Sequence, residues 1–589
     1  PPRSTLFPYT TLFRSQHFKS LVKLGQTVII VEQLEDPKKA TGKIVKRGVV
    51  RILSPGTVVD DSLLESTSSN YICSVYREKK NYGVAFLDFS SGEFKVAEFY
   101  GPEASQLLWS YLARFSPVEC VLPPEIHADL MFMGQLKDNI STILKEQAQF
   151  SFIPQNAKDT LCSLFNLKSL ASFGIENNPL AIGAAGGLIS FILETQKEDR
   201  LSNITRIQYL RDDQTLFLDY NTQKNLELLR NQSNGDTYGT LFQVLDHAQT
   251  PMGTRLLKTW ILQPLISKAD IEQRLEYTTF FVNTFDKRGD VRSLLGEMGD
   301  LTRLITRINY SSTANARDLL AIKRGLQIIN KIRSIFTERN TEAIKSLIDQ
   351  LEDFTDLIQR IEAAIHEQPP ITITEGGIIK DGYNAEVDEY RDILHNGKDW
   401  IIRFEEQEKK RLGLATGLKV QYNRVLGYFI QLTDNAFKSI TLPDDYSQRQ
   451  SLKNALRYDT PRLKEMETKI LSAEENVMDL EYRLFQEIRE EVQQFTLAIQ
   501  TNAEIIAQLD VLSTFAEVAQ NNHYCRPSIE THQRIVIKQG RHPVVETLNQ
   551  KEAFVPNDTL MDTDSEQILI ITGPNWSGKS TYLRQTALI

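Results

Sequence analysis

The chain is poor in cysteine, with Cys73, Cys120, Cys162 and Cys525 far apart among 589 residues and no C-x-x-C pair. That spacing excludes a zinc site legible from sequence and argues against a disulfide scaffold; reduced thiols are the expectation. No run of about 18 apolar residues is present, so a membrane-spanning helix is not expected. Neither end has the layout of a secretion signal. Positive charge is also short, since 67 Lys+Arg against 76 Asp+Glu leave a net charge of −9. A nucleic-acid binder with this balance must concentrate its basic residues locally. What remains is ordinary: 41% hydrophobic and 24% charged residues exclude wholesale disorder. The length exceeds one hydrophobic core and implies about three to five domains.

Both ends read as cut. Residues 1–15, PPRSTLFPYTTLFRS, hold an imperfect internal repeat and no period that continues. They read as a translated adapter or assembly scar, with a floppy natural N-terminus as the alternative. At the other end the chain stops at Ile589, inside a helix-compatible stretch. A phosphate-loop fold needs further parallel strands to cover such a helix, so only the start of that domain is expected here.

Short strands are expected at Thr27–Glu32 and Val49–Leu53. From Lys38 to Arg51, the residues Lys38, Lys39, Lys43, Lys46, Arg47 and Arg51 form a run without an acidic residue, as a solvated strand edge also would. Tyr71–Arg77, Tyr82–Asp88 and Glu93–Phe99 alternate and are joined by turns, which predicts an antiparallel meander. Helical stretches are expected from there to about Thr195, giving a small α/β domain. Asp88 ends a strand as a metal carboxylate would, but no accompanying carboxylate set is visible, which favours a structural role. A mainly helical stretch then runs to His395.

A second helical block starts at Thr460-Pro461. Leu463, Met466, Ile470, Ala473, Val477, Leu480 and Leu484 repeat at helical spacing, and Ile488, Val492, Phe495 and Ile499 continue the stripe. A helix of nearly forty residues, roughly 55–60 Å long, is predicted. Val387, Tyr390, Leu394, Ile401 and Phe404 have the same period, so the two stretches can pair antiparallel as a lever or as an ordinary core pair. Between them, Leu418, Val420 and Tyr422 alternate with polar residues, as do Tyr428, Ile430 and Leu432, which predicts a hairpin turning at Asn423–Gly427. Leu412 to Arg462 holds Lys419, Arg424, Lys438, Arg449, Lys453, Arg457 and Arg462 against Asp434, Asp444, Asp445 and Asp459, a local +3 in a chain of −9. A basic β-module on a helical pair suits a phosphate backbone, although surface lysines are common.

One motif carries chemistry. Gly573-Pro574-Asn575-Trp576-Ser577-Gly578-Lys579-Ser580 fits G-x-x-x-x-G-K-[ST], a match that chance gives in about 2% of chains this long. Ile568–Ile571 before it looks like a buried strand, and Thr581–Ile589 after it suits a helix. The glycines let backbone N–H groups close on phosphates, and the helix N-terminus adds positive potential. Lys579 is expected to reach the β- and γ-phosphates and the Ser580 hydroxyl to sit on Mg²⁺. Hydrolysis also needs a carboxylate on a neighbouring strand, and no residue beyond Ile589 is available to supply it. The chain is therefore uncertain as an enzyme, its catalytic residues unknown, and weak nucleotide binding is the most expected of it.

From about Leu21 to Ile589 the chain resembles the bacterial MutS mismatch-repair family. The resemblance rests on Ile571–Ala587 around the loop, on Gly540-Arg541-His542-Pro543 and on Phe554-Val555-Pro556-Asn557. It rests further on Glu32–Pro37, Val49–Ile52 with Pro55–Thr57, Leu218-Asp219 with Asn225–Leu228, and Leu245–His247 with Met252-Gly253 and Arg255–Leu257. Tyr422–Arg424 with Gly427-Tyr428, and Gln450–Ala455, are similar to that family's DNA clamp. The resemblance implies a homodimer that closes around duplex DNA, senses mispairs and small loops, uses ATP and Mg²⁺ to become a sliding clamp, and recruits a MutL-type partner. It implies a cytoplasmic, nucleoid-associated protein with no membrane contact. Phe554 would stack on adenine, with Gly573, Pro574, Asn575, Gly578, Lys579, Ser580 and Thr581 around the phosphates and Ser580 on the metal. Lys419, Arg424, Arg449, Lys453 and Arg457 would contact DNA.

The fold class so implied is multidomain α/β and mainly α. Residues 16–65 are a partial mismatch-recognition domain, 71–195 a ribonuclease-H-like connector, and 196–411 core and lever helices. Residues 412–460 are an inserted β clamp, 461–515 the returning lever, and 516–589 the start of a P-loop (ABC-type) ATPase domain. Two departures stand out: no Phe-x-Glu reading pair precedes Leu21, and Trp576 replaces the usual Met. A DNA-backbone-binding lever and clamp without mismatch specificity or ATPase activity is the alternative. A different P-loop DNA machine with a coiled-coil arm would explain the lever but not the domain order.

Overall fold

The computed structural model describes residues 17–589 except 19, 23, 34–45, 198–199, 212–213, 311–313, 338–341, 373–375, 424–426, 453–454, 549–552 and 576. Residues 1–15, Lys38, Lys39, Lys43, Arg424, Lys453 and Trp576 thus lie outside the described residues. The chain divides into two compact units. One comprises Pro1–Ala314, Arg324–Phe354 and Gln493–Ile589; the other comprises Asn315–Lys323 and Thr355–Val492.

The first unit opens with an antiparallel ribbon of β1 (Val28–Gln33) and β2 (Arg47–Leu53), with Val28 opposite Leu53. The expected meander follows as β3 (Tyr71–Glu78), β4 (Asn81–Asp88) and β5 (Glu93–Phe99). Three strands that the alternation did not show complete the sheet. β6 (Glu119–Leu122) and β7 (Ile143–Glu146) add parallel on the β3 side, and β8 (Gln208–Tyr209) adds parallel beside β5, giving the order β7-β6-β3-β4-β5-β8. These strands are two to four residues long and β6 is wholly buried, so periodicity could not separate them from helix.

Both faces of this sheet are covered, as strand alternation requires. Ile72, Ala85, Leu87 and Val96 meet helix Pro179–Gln196 through Ala181, Ala185, Leu188 and Ile192. Cys73, Val75, Val84 and Phe86 meet Leu108, Tyr111, Leu112 and Phe115 of helix Ala104–Phe115. Helix Pro179–Gln196 is the one described helix that by length and composition alone is apolar enough to cross a membrane, and it is mostly buried in the protein. Its apolar surface is spent on the sheet core: a Cβ on Gly187 would lie 2.3 Å from Phe152 Cε1. Asp88 caps its own turn, accepting from the Ser90 and Asn70 amides at 3.0 Å each, and no metal-ligating cluster occurs among the described residues.

The helical core of the same unit surrounds helix Thr496–Asn521. Its Asp510 carboxylate accepts from the Thr250 amide at 2.8 Å and the Thr250 hydroxyl at 2.7 Å, at the start of helix Pro251–Leu262. The expected helix of nearly forty residues from Pro461 is instead two helices. Pro461–Gln493 has 33 residues and Thr496–Asn521 has 26, with a turn at Gln494-Phe495 between them. The apolar stripe runs through the break because Val492 and Ile499 are both buried, but at Gln493 the partner changes. Gln493 donates to the Ile308 and Asn309 carbonyls, and Thr496 to the Asn309 side chain.

In the second unit, helix Ala385–Arg411 runs antiparallel to Pro461–Gln493. Arg391 pairs with Glu481, Gly397 faces Ile470, and Arg462 lies over the Trp400 ring. At 33 residues the longer helix spans roughly 50 Å. Leu463, Ile470, Ala473, Val477, Leu480 and Leu484 are buried as expected, and Met466 is half-buried. The predicted hairpin is β9 (Leu418–Asn423) with β10 (Gly427–Thr433), Tyr428 opposite Tyr422. β11 (Ser447–Leu452) and β12 (Ala455–Asp459) extend it to a four-stranded sheet in the order β11-β12-β10-β9.

Near the C-terminus, β13 (Ile535–Gly540) pairs antiparallel with β14 (Asn557–Met561). The strand expected at Ile568–Ile571 is not formed: the segment is irregular, with Ile568 82% and Ile570 85% exposed. A strand needs a neighbour to take its N–H and C=O groups, and no described strand lies beside this one.

Candidate nucleotide loop and nucleic-acid face

The clamp sheet sorts its side chains by strand alternation. Leu418, Ile430, Leu432 and Tyr458 pack with Phe404 and Leu463 of the two long helices, which seals one face. The other face carries a row running straight across the sheet. Lys419 on β9 stands opposite Gln431 on β10, Gln431 opposite Arg457 on β12, and Arg457 opposite Gln450 on β11. Arg457 donates to Gln450 at 2.8 Å, and its guanidinium lies 4.5 Å from the centre of the buried Phe429 ring. Lys419 is exposed. Arg449 sits at the bulge between Gln448 and Gln450 and pairs with Asp459. The structure therefore brings Lys419, Arg449 and Arg457 onto one sheet. Sequence reading missed Gln431 and Phe429, and the place of Gln450 beside the arginine, because these positions are set by cross-strand register, for which no local signal exists. Tyr422 is 51% exposed, and its ring centre lies 5.0 Å from that of Tyr428 where the hairpin turns.

The loop at 573–581 opens helix Lys579–Leu588. Gly578 has φ +89°, a left-handed conformation that a side chain would strain, and open space where its Cβ would be. Lys579 Nζ donates to the Gly573 and Pro574 carbonyls at 2.6 Å each, so the ammonium rests inside its own loop. Asn575 and Ser580 are exposed, and Thr581 is half-buried. Phe554 is half-buried just before β14, and β14 is tied to the loop's helix by the Thr559 and Tyr582 hydroxyls at 2.8 Å. The far end of that helix is docked on the core: Arg584 pairs with Glu227 at 2.7 Å, and Leu588 joins the cluster of Leu228, Phe242 and Leu257. His542 is 5% exposed and accepts from the Val544 amide. Burial, with Arg584 nearby, holds its pKa below the usual 6.5.

The donor set fits a triphosphate with its metal: one ammonium, one exposed hydroxyl, a glycine-shaped turn and a helix N-terminus. The clamp face fits a polyanion held through its backbone, since it offers charge and side-chain amides in a row.

Comparison with known proteins gives three consecutive matches. The profile of MutS domain I matches residues 4–62, that of MutS domain II residues 70–205, and that of MutS domain III residues 221–516. The DNA mismatch repair protein MutS of Methanosarcina acetivorans is 39% identical over 584 residues, 97% of this chain and 64% of the relative. Those of Ruminiclostridium cellulolyticum and Symbiobacterium thermophilum are 40% and 41% identical over 569 residues, again covering 64% of each relative. The chain thus spans 64% of the length of these curated relatives. Because the domain III profile alone takes in half of the residues, and the three domains follow one another in order, the chain belongs to the MutS family.

Proposed function

We propose that this chain acts in DNA mismatch repair, gripping duplex DNA that carries a mispair or small loop and coupling that grip to ATP and Mg²⁺ at residues 573–581. The observation that carries the reading is the Lys419–Gln431–Arg457–Gln450 row on the open face of a sheet whose other face is sealed. Such a row holds phosphates in register without reading bases. Residues 71–195 act as a ribonuclease-H-like connector: three antiparallel strands are followed by two parallel ones added beside the first. Residues 196–411 and 461–515 act as core and levers, and 412–460 as the clamp. ATP, when bound, supplies the γ-phosphoryl group, and Mg²⁺ neutralises its charge. Lys579 would exchange the Gly573 and Pro574 carbonyls for phosphate oxygens, Ser580 would face the metal, and Phe554 would lie against the base. A homodimer, a MutL-type partner and a cytoplasmic setting complete the proposal.

Two titrations test it. Fluorescence anisotropy with matched and single-mispair duplexes is expected to show tighter binding to the mispair. Equal affinities would leave only a backbone grip and would sink mismatch sensing. Titration with a fluorescent ADP analogue and Mg²⁺ is expected to saturate for the parent chain and weaken at least about tenfold in Lys579→Ala, the loss of one charge-assisted contact. Unchanged binding in that variant would reject the loop as the nucleotide site.

A further inference from the structure

The seven residues between the domain I and domain II matches, 63–69, run into the polar stretch Ser66–Asn70 that reads as a plain linker, and none of the residues 61–70 is buried. The core nevertheless holds them tightly. Arg303 is 1% exposed, the largest fully buried side chain among the described residues. It donates to the Glu65 carbonyl at 3.0 Å and the Ser68 carbonyl at 2.7 Å. Arg255 donates to the Ser66 carbonyl at 2.8 Å, and Lys258 to the Thr67 carbonyl at 2.9 Å. Arg307 pairs with Asp61. Four cations from helices Pro251–Leu262 and Leu301–Asn309 thus take four successive carbonyls and one carboxylate of this strap.

The arrangement is costly unless it has a purpose beyond packing. Buried guanidinium groups carry a desolvation penalty that only full hydrogen bonding offsets. Asp300 supplies counter-charge, receiving Arg255 at 2.6 Å and 3.0 Å and lying 3.8 Å from the Arg303 Nε, and the strap carbonyls take the terminal nitrogens of Arg303. Leu63 and Leu64, the strap's only apolar side chains, are half-buried, and beside them the strap is held by these polar bonds. They are also interlocked. Arg303 bridges the two ends of one turn, closed by the Ser68 amide on the Glu65 carbonyl at 3.3 Å, and Lys258 reaches both Thr67 and the Ser68 hydroxyl. Losing one carbonyl opens the turn that presents the others.

We propose that residues 61–68 form an electrostatic latch, docked or released as one unit, by which the core fixes the tether between the β1–β2 region and the six-stranded sheet. Docked, the tether is short and defined; released, the sheet and the ribbon share only a flexible polar chain. The latch is independent of the nucleotide and DNA readings above.

Hydrogen exchange and proteolysis on the whole chain test it. Asp61→Asn weakens the strap's own end without touching the core, and Lys258→Met keeps the apolar stem. Each is expected to speed exchange at the Leu64 and Ser68 amides, which bond the Asp61 and Glu65 carbonyls inside the strap, together, by a common factor of about ten for one charge-assisted bond. Cleavage at Glu65 by a glutamyl endopeptidase should rise in step, while exchange in helix Pro251–Leu262 stays unchanged. Acceleration confined to the amide nearest each substitution, no acceleration at all, or acceleration that tracks global unfolding would each overturn the latch. Arg303→Ala should release the strap most; if it does not fold, the two milder variants still decide.

Discussion

At the scale of single residues, Asp300 is the pivot of the buried charge cluster. It caps helix Leu301–Asn309 through the Arg303 amide and receives both guanidinium nitrogens of Arg255. Burial pushes its pKa up, but Arg255 outweighs burial and the net direction is down from 3.8. Burial likewise disfavours the Arg255 charge, and Asp300 more than restores it. For a carboxyl group whose folded pKa is depressed, the stabilisation is complete above the unfolded value and is lost as pH falls through the folded one. Asp300→Asn is therefore expected to cost about 3 kcal/mol at neutral pH, because it leaves a buried cation unpaired. The melting-temperature gap between parent and variant should stay constant from about pH 7 to 5 and close below about 4. A gap that persists unchanged at pH 3 would show that Asp300 acts by shape and not by charge. None of this cluster was legible in the sequence. Asp300 and Arg303 share one helix start while Arg255 lies on another helix, and only tertiary packing reveals that a polar strap stands opposite them.

At the scale of elements, legibility followed period. The meander at 71–99, with short β-rich runs between clear turns, and the alternating hairpin at 418–433 were both placed within a residue or two. β6 and β7 escaped because four-residue strands carry too little pattern. The long stripe from Leu463 predicted burial correctly but not the break at Gln494-Phe495, since a period records which side is covered and not by what. The lever pair itself depends on one close approach: a Cβ on Gly397 would stand 2.7 Å from Ile470 Cγ1. Gly397→Ala alone should destabilise the unit. Overpacking costs about 1–3 kcal/mol, which exceeds the roughly 1 kcal/mol gained in helix propensity. In an Ile470→Ala background the clash is gone and only the propensity gain remains, so the same substitution should stabilise. Urea denaturation of the four proteins of this cycle reads the sign change. Destabilisation of equal size in both backgrounds would mean that the two helices do not meet at this pair.

At the scale of the whole molecule, charge decides more than shape. The chain is −9 overall, and only local excesses such as the +3 of 412–462 can attract a polyanion. The local excess was readable from composition; the row that makes it useful was not, because Gln431 and Gln450 join Lys419 and Arg457 only through cross-strand register. The fold of the nucleotide segment was the least legible part. Its loop motif was plain, yet the strand expected ahead of it is absent where no described neighbour pairs with Ile568–Ile571. The clamp can be tested by the physics of polyanion binding. Each phosphate neutralised by a protein cation releases counterions, so log affinity falls with log salt at a slope of about −0.9 per contact. Lys419→Gln with Arg457→Gln should flatten that slope by about two, one for each lost contact, and should weaken matched and mispaired duplexes equally. Retaining the side-chain amide keeps the polar face soluble and the Gln450 neighbour partnered. Anisotropy titrations between about 50 and 200 mM NaCl resolve a slope change of that size, which over this range is worth about an order of magnitude in affinity. An unchanged slope would move the DNA-binding face off this sheet, whereas a slope change restricted to mispaired duplex would mean that the row reads sequence and not backbone.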